Sequence, residues 1–167
     1  ADLRMANSWG LVTTPDAIDN SPELDIANPP AILAGYTLPA ELNPYAGAIS
    51  QCGAMWAVKL FAYVEANNDS YGYACAAFGA AVPGSDQLTV RRASTQIIDV
   101  GALGASTGQI KVQSSRVRGT LFASGATPGD FSPPTSESRA LVANGYYVDQ
   151  NSDERAGMPS LRRKQLD

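Results

Sequence analysis

The chain is 167 residues and 17.5 kDa, which is one domain's worth, with room for a real core but not for two. Twelve Lys and Arg against 16 Asp and Glu, with no His, give a net charge of −4, so there is no basic excess to hold a polyanion and no imidazole for acid–base work or for a His-ligated metal. Charged residues make up only 17% of the chain, against roughly 25% in an ordinary soluble domain.

The first piece, 1–44, holds six of the 11 prolines (Pro15, Pro22, Pro29, Pro30, Pro39, Pro44). Proline fixes φ and removes a backbone donor, so this piece is expected to be an extended arm with short segments such as 31–38, lying against its own core or another subunit. Its opening ADLRMANSWG has no cationic stretch followed by an apolar run, so it does not read as an uncleaved signal peptide.

Residues 45–127 form the expected β core, with ten charges in 83 residues and ten of the 15 glycines. The stretch 44–66 is ambiguous. Asn43 with Pro44 resembles a helix start, yet 55–65 alternates and is rich in Trp, Val, Phe and Tyr, which favours a strand. That strand would turn at 67–70 into 71–79, where Tyr71, Tyr73, Cys75 and Ala77 share one face. A membrane span over 46–64 is disfavoured by Lys59 inside the apolar run and by the absence of flanking positive charge. QLTVRRAS (87–94) and TQIIDV (95–100) read as two short strands, and GQIKVQ (108–113) with RVRGTLFA (116–123) as a hairpin turning at Ser114–Ser115. The glycines of 101–108 lack the GK[ST] of a phosphate loop and read as an inter-strand connection. Residues 128–167 contain the end of a Pro-rich loop, an apolar segment at 140–148 and a charged tail, SLRRKQLD. The expected fold is mainly β, a sandwich or jelly-roll-like barrel with extended N- and C-terminal arms.

Chemistry-bearing constellations are sparse. Cys52 and Cys75 are the only cysteines and form a possible disulfide. If 55–65 pairs with 71–79, however, Cys75 faces a residue near 62, and a bridge then needs another register. Neither thiol has a histidine to generate thiolate, and two Cys without His make no zinc site. The acidic groups Asp16, Asp19, Glu23 and Asp25, and Asp149, Asp153 and Glu154, lack EF-hand spacing and read as solvated loop charge. No G-x-S-x-G element occurs. Catalytic residues, cofactors and metals are therefore expected to be none, and the chain is not expected to be an enzyme.

Arginine comes in clumps: Arg91–Arg92, Arg116 with Arg118, and Arg162–Arg163 followed by Lys164. Without interleaved aromatics these suit ion pairs between chains better than nucleic acid. The leading expectation is a structural subunit of a large assembly, a virion capsid, decoration or minor head protein, a homo-oligomer whose partners are copies of itself or other shell proteins. Its subunit contacts would be Trp9, Leu11, Ile32, Leu33, Tyr36, Leu38, Arg116, Arg118, Leu161, Arg162, Arg163 and Lys164. The alternative is a secreted or cell-surface β-sandwich, such as a pilus subunit, adhesin or carbohydrate-binding module, which a Cys52–Cys75 bridge would favour.

Overall fold

A computed structural model describes residues 6–11, 18–19, 36–132 and 134–166. The strands are β1 (Ile18–Asp19), β2 (Val64–Asn67), β3 (Gln87–Ile98), β4 (Lys111–Ser114), β5 (Gly119–Phe122), β6 (Glu137–Asp149) and β7 (Ser160–Gln165). All seven belong to one sheet of order β1-β5-β4-β6-β3-β2, with β7 also on β6. The protein is thus mainly β, with its sheet curled into a half-barrel. Irregular segments cover the core face where a sandwich would place a second sheet.

The 13-residue β6 organises the sheet. Along one edge it pairs antiparallel with β3, from Leu88↔Tyr146 to Ile98↔Ser138. Its other edge is shared: β4 takes the first end, Ser114↔Glu137 to Lys111↔Ala140, and β7 takes the second, Asn144↔Gln165 to Asp149↔Ser160. The C-terminal tail, expected to be an extended arm, is therefore a strand of its own chain's sheet, paired with β6 on one side. Its alternation, half-buried then exposed along Ser160–Gln165, is what a strand over a packed face requires, and charge alone does not exclude it.

The expected β4–β5 hairpin forms, with Val112↔Leu121 and Ser114↔Gly119 in register. The two short strands expected at 87–94 and 95–100 are instead one strand, β3, carrying a register shift between Ala93 and Ile97. Arg139 accommodates that irregularity: its Nη1 donates to the carbonyls of Ser94 and Thr95 at 2.9 and 2.8 Å. The glycine-rich connection becomes a 3₁₀ segment, Val100–Ser106, whose Leu103 is buried.

The hairpin expected from 55–65 and 71–79 does not form. Residues 43–49 are helical (3₁₀ at Asn43–Tyr45, α at Ala46–Ile49), with Leu42, not Asn43, at the N-cap and no side-chain capping bond. Gly53 and Met55 then turn the chain at φ 144° and 53°. Trp56, Ala57 and Val58 are buried consecutively, which a two-residue alternation cannot achieve. A 3₁₀ turn at Leu60–Ala62 leads into the four-residue β2, which pairs with β3 instead. Residues 71–79 form no named strand, although Tyr73 is buried and its neighbours Gly72 and Ala74 are exposed, as the alternation required. Among the described residues, no helix is long and apolar enough to cross a membrane.

The first piece is tied to three different strands. Ala93 N–H donates to the Ser8 carbonyl at 2.6 Å, Leu11 N–H to Ser114 Oγ at 3.0 Å, and β1 pairs in parallel with β5 at Ile18↔Gly119. The core cluster joins Trp9, Ile18, Leu42, Ile49, Trp56, Val58 and Leu60 to Val112, Leu121, Leu141 and Ala143 of the sheet.

Candidate interaction surface

The contact residues expected from the sequence divide into three groups. Trp9 is wholly buried, its Nε1 donating to Asn7 Oδ1 at 2.9 Å, and Leu38 packs against the core cluster. Trp9 is therefore a core residue of its own chain, with no exposed surface to offer a neighbour. Tyr36 is half-buried and desolvation raises its pKa. Ile32 and Leu33 lie outside the described residues.

The second group converges. Leu11, Arg116 and Arg118 line one groove of about 720 Å³ between the β4–β5 turn and the loop Asp130–Ser136. Arg116 and Arg118 were expected at i and i+2 on a strand, but β5 begins only at Gly119. Both lie in a turn closed by Ser115 N–H to the Arg118 carbonyl at 2.8 Å, with Ser115 Oγ accepting from Val117 and Arg118 N–H at 3.4 and 3.2 Å. The Arg118 guanidinium stacks 5.0 Å from the Phe131 ring, donates to the Asp130 carbonyl at 2.7 Å and lies 3.8 Å from the Asp130 carboxylate. Arg116 is exposed, and Val117 between them is 82% exposed.

The third group is on β7. Arg162 turns inward: Nε reaches Asp149 at 3.2 Å, Nη2 reaches Asp153 at 2.8 Å, and the guanidinium lies 5.1 Å from the Phe78 ring. Its own chain supplies the carboxylates that raise its pKa, Asp153 first. Asp149 is itself buried; burial opposes its charge, but the Asn151 and Ala80 N–H groups and Arg162 prevail and hold its pKa low. The acidic residues read as solvated loop charge thus include one buried structural carboxylate. Leu161 is 71% exposed and Arg163 is exposed on the same face of β7, while Lys164 is half-buried opposite Gly145.

Cys52 and Cys75 form a disulfide with Cα atoms 4.4 Å apart, and Ala74 N–H donates to the Cys52 carbonyl at 3.2 Å beside it. The bridge does not need the 55–65/71–79 register, because the turns at Gly53 and Met55 carry Cys52 to the extended segment directly. Next to it lies a polar pocket of about 280 Å³ lined by Trp56, Lys59, Glu65, Tyr73, Gln87 and Thr89 among others. A buried cation that pairs with its Glu65 was missed in the sequence. Arg91 is fully buried, donating to the carbonyls of Trp56 and Ala62 and to Glu65 Oε2 at 2.9 Å. Burial lowers its pKa and Glu65 opposes that shift. The available signal was period two: Arg91 falls between Thr89 and Ala93 on the core face, whereas Arg92 falls on the other.

Searches of protein-family models, of curated proteins and of solved structures each return no match.

Proposed function

We propose that this protein is a structural subunit of an extracellular multi-chain assembly, a surface fibre such as a pilus, working through contacts and not through chemistry. The observation that carries the reading is the Cys52–Cys75 disulfide. Such bridges form and persist in oxidising compartments, at cell surfaces and outside cells. Here the bridge fastens two irregular segments to the core face of a domain whose 17% charged residues leave a weakly ionised surface. Exposed apolar side chains at Phe78, Val117, Met158 and Leu161 support a contact role, because each lies at a turn or edge where a neighbour can cover it.

A virion shell subunit is the second reading. It draws on the same sparse charge and on the N-terminal segment that runs from β3 to β5. Two of its supports are weaker in this fold, since Trp9 and the C-terminal tail both pack on their own chain.

Light scattering and thiol alkylation on material from the native source test the proposal. The expected result is an assembly many times 17.5 kDa with both cysteines protected from alkylation until reduction. A 17.5 kDa species, or thiols that alkylate without reduction, overturns it.

A further inference from the structure

We infer that copies of this chain join head to tail, the Arg116–Arg118 groove of one copy receiving the Asp153–Glu154 turn of the next. This rests on the assembly reading above and names the surface it would use.

The two features lie at opposite ends of one strand. Ser136, on the groove wall, precedes Glu137, the first residue of β6, and the acidic turn follows Asp149, its last. At about 3.4 Å per residue the 13-residue strand sets them roughly 40 Å apart. Two different patches at opposite ends of a molecule make a heterologous contact, which builds a ring where the rotation between copies closes and a filament where it does not.

The chemistry of the two ends is complementary. At the groove Arg116 is exposed and has no partner among the described residues, and Arg118 is only partly neutralised by Asp130. At the other end Asp153 is 73% exposed at its side chain and uses Oδ1 for Arg162, leaving Oδ2 open, and Glu154 is exposed. Arg155 and Arg162 share that end with Asp149, Asp153 and Glu154, so three carboxylates face two guanidinium groups, and Glu154 is the carboxylate without an ion pair among the described residues. Guanidinium groups in a half-enclosed groove favour carboxylates because two parallel N–H donors match two oxygens. Apolar surface matches too: Met158, 54% exposed beside the acidic turn, can cover Val117 and the Phe131 wall of the groove. The turn itself is preshaped, Ser152 Oγ accepting from Arg155 N–H at 3.0 Å and Asn151 Oδ1 from Gly157 N–H at 2.8 Å, so little ordering is needed on docking.

A charge-swap experiment on the full chain reads the contact. Arg116→Glu/Arg118→Glu and, separately, Asp153→Lys/Glu154→Lys should each weaken self-association at least tenfold by sedimentation, read at a temperature where melting curves show each variant folded. Because Asp153 also pairs with Arg162, the single Glu154→Lys variant serves as the control that leaves that pair intact. Mixing the two double variants should restore association, since the reversed groove then meets the reversed turn. Wild-type association should also fall as salt rises from 50 to 500 mM, as for partly exposed charges within a Debye length. If the wild type associates and both double variants match it, or if the mixture stays dissociated, this contact is wrong and the assembly reading stands. A wild type that remains 17.5 kDa at every concentration removes both.

Discussion

The core face of the sheet has two halves built on opposite principles. Around β4, β5 and the first part of β6 it is apolar: Val112, Leu121 and Leu141 meet Trp9 and Ile18, and shape with water exclusion does the holding. Toward the far end of β6 the same face carries Thr89, Arg91, Gly145, Tyr147 and Asp149. There Tyr71 packs edge-on against Tyr73 and Tyr147 with ring centres 5.4 and 5.1 Å apart, and nearly every contact includes a directed hydrogen bond. Tyr73 Oη donates to the Leu88 carbonyl at 3.0 Å, and Tyr147 Oη accepts from Phe78 N–H at 2.7 Å. Gly145 is needed for this close approach, because a Cβ there would lie 2.7 Å from Tyr73 Oη. The apolar half has a regular partner in the sheet's own alternation, whereas the polar half must fasten 52–62 and 71–82, which contribute few strand pairings. Directed bonds and a covalent bridge take over where the ladder runs out.

The largest expected effect separates the halves by mechanism. Trp9→Ala removes the largest fully buried side chain and leaves a cavity, costing about 4 kcal/mol in denaturant unfolding. Trp9→Phe, which keeps an aromatic body, should recover much of that. If Trp9→Ala costs under about 1 kcal/mol, the first piece is not part of the core, and the apolar half needs no contribution from it.

In the polar half the corresponding removals are Arg91→Ala and the Cys52→Ser/Cys75→Ser pair, each about 3 kcal/mol. The first strips the donor from two buried carbonyls and from Glu65. The second releases a loop with a sequence separation of 23 in the unfolded chain. Both hold the same segment, so their effects should not add: the combined variant is expected to lose measurably less than the sum. Strict additivity would mean that bridge and ion pair act on separate units. Against Trp9→Ala, Arg91→Ala should be close to additive, since the sites share few partners.

The same division explains what was legible in the sequence. The β4–β5 hairpin could be read because alternation and a short polar turn are local signals, but its turn spans 115–118 and not Ser114–Ser115, so the register differs from the one expected and Arg116 and Arg118 leave the strand. Tyr73 and Cys75 were placed on the right face because period two survives in an extended segment with no strand partner. What failed was pairing. Nothing near residue 55 announces that Gly53 and Met55 take positive φ and send β2 to β3. The buried role of Arg91 was hidden for a related reason: an Arg-Arg pair looks like surface charge until one knows that β3 is covered on both faces. At the candidate contact, Arg116 and Arg118 were named from their spacing on an expected strand and Leu11 from its place in the expected arm. Their meeting in one groove depends on Ser114, which binds Leu11 N–H across 103 residues of chain.

The smallest effect concerns pH and falls on the polar half from both sides. Burial, with smaller contributions from Tyr147 and Tyr73, pushes the Tyr71 pKa up to about 12. A phenol that ionises near 10 when unfolded and near 12 when folded favours the native state fully below pH 10, and that contribution fades as pH climbs toward 12. Ionisation also removes the donor that Tyr71 gives the Cys75 carbonyl at 2.9 Å, so the loss should be felt first in the bridged segment. At the acid end Asp149 and Asp153 are held low, so their contribution is full above about pH 4 and drains as pH falls through their native values. Melting temperature should therefore be flat from about pH 5 to 9 and bend down on both sides. Tyr71→Phe should flatten the alkaline limb, leaving a residue from Tyr36 and Tyr73, and Arg162→Gln should move the acid limb to higher pH. Trp9→Phe should shift the whole profile without changing either bend, because no ionisable group takes part in the packing it disturbs. An alkaline limb unchanged in Tyr71→Phe would assign that transition to another group and detach it from the tyrosine cluster.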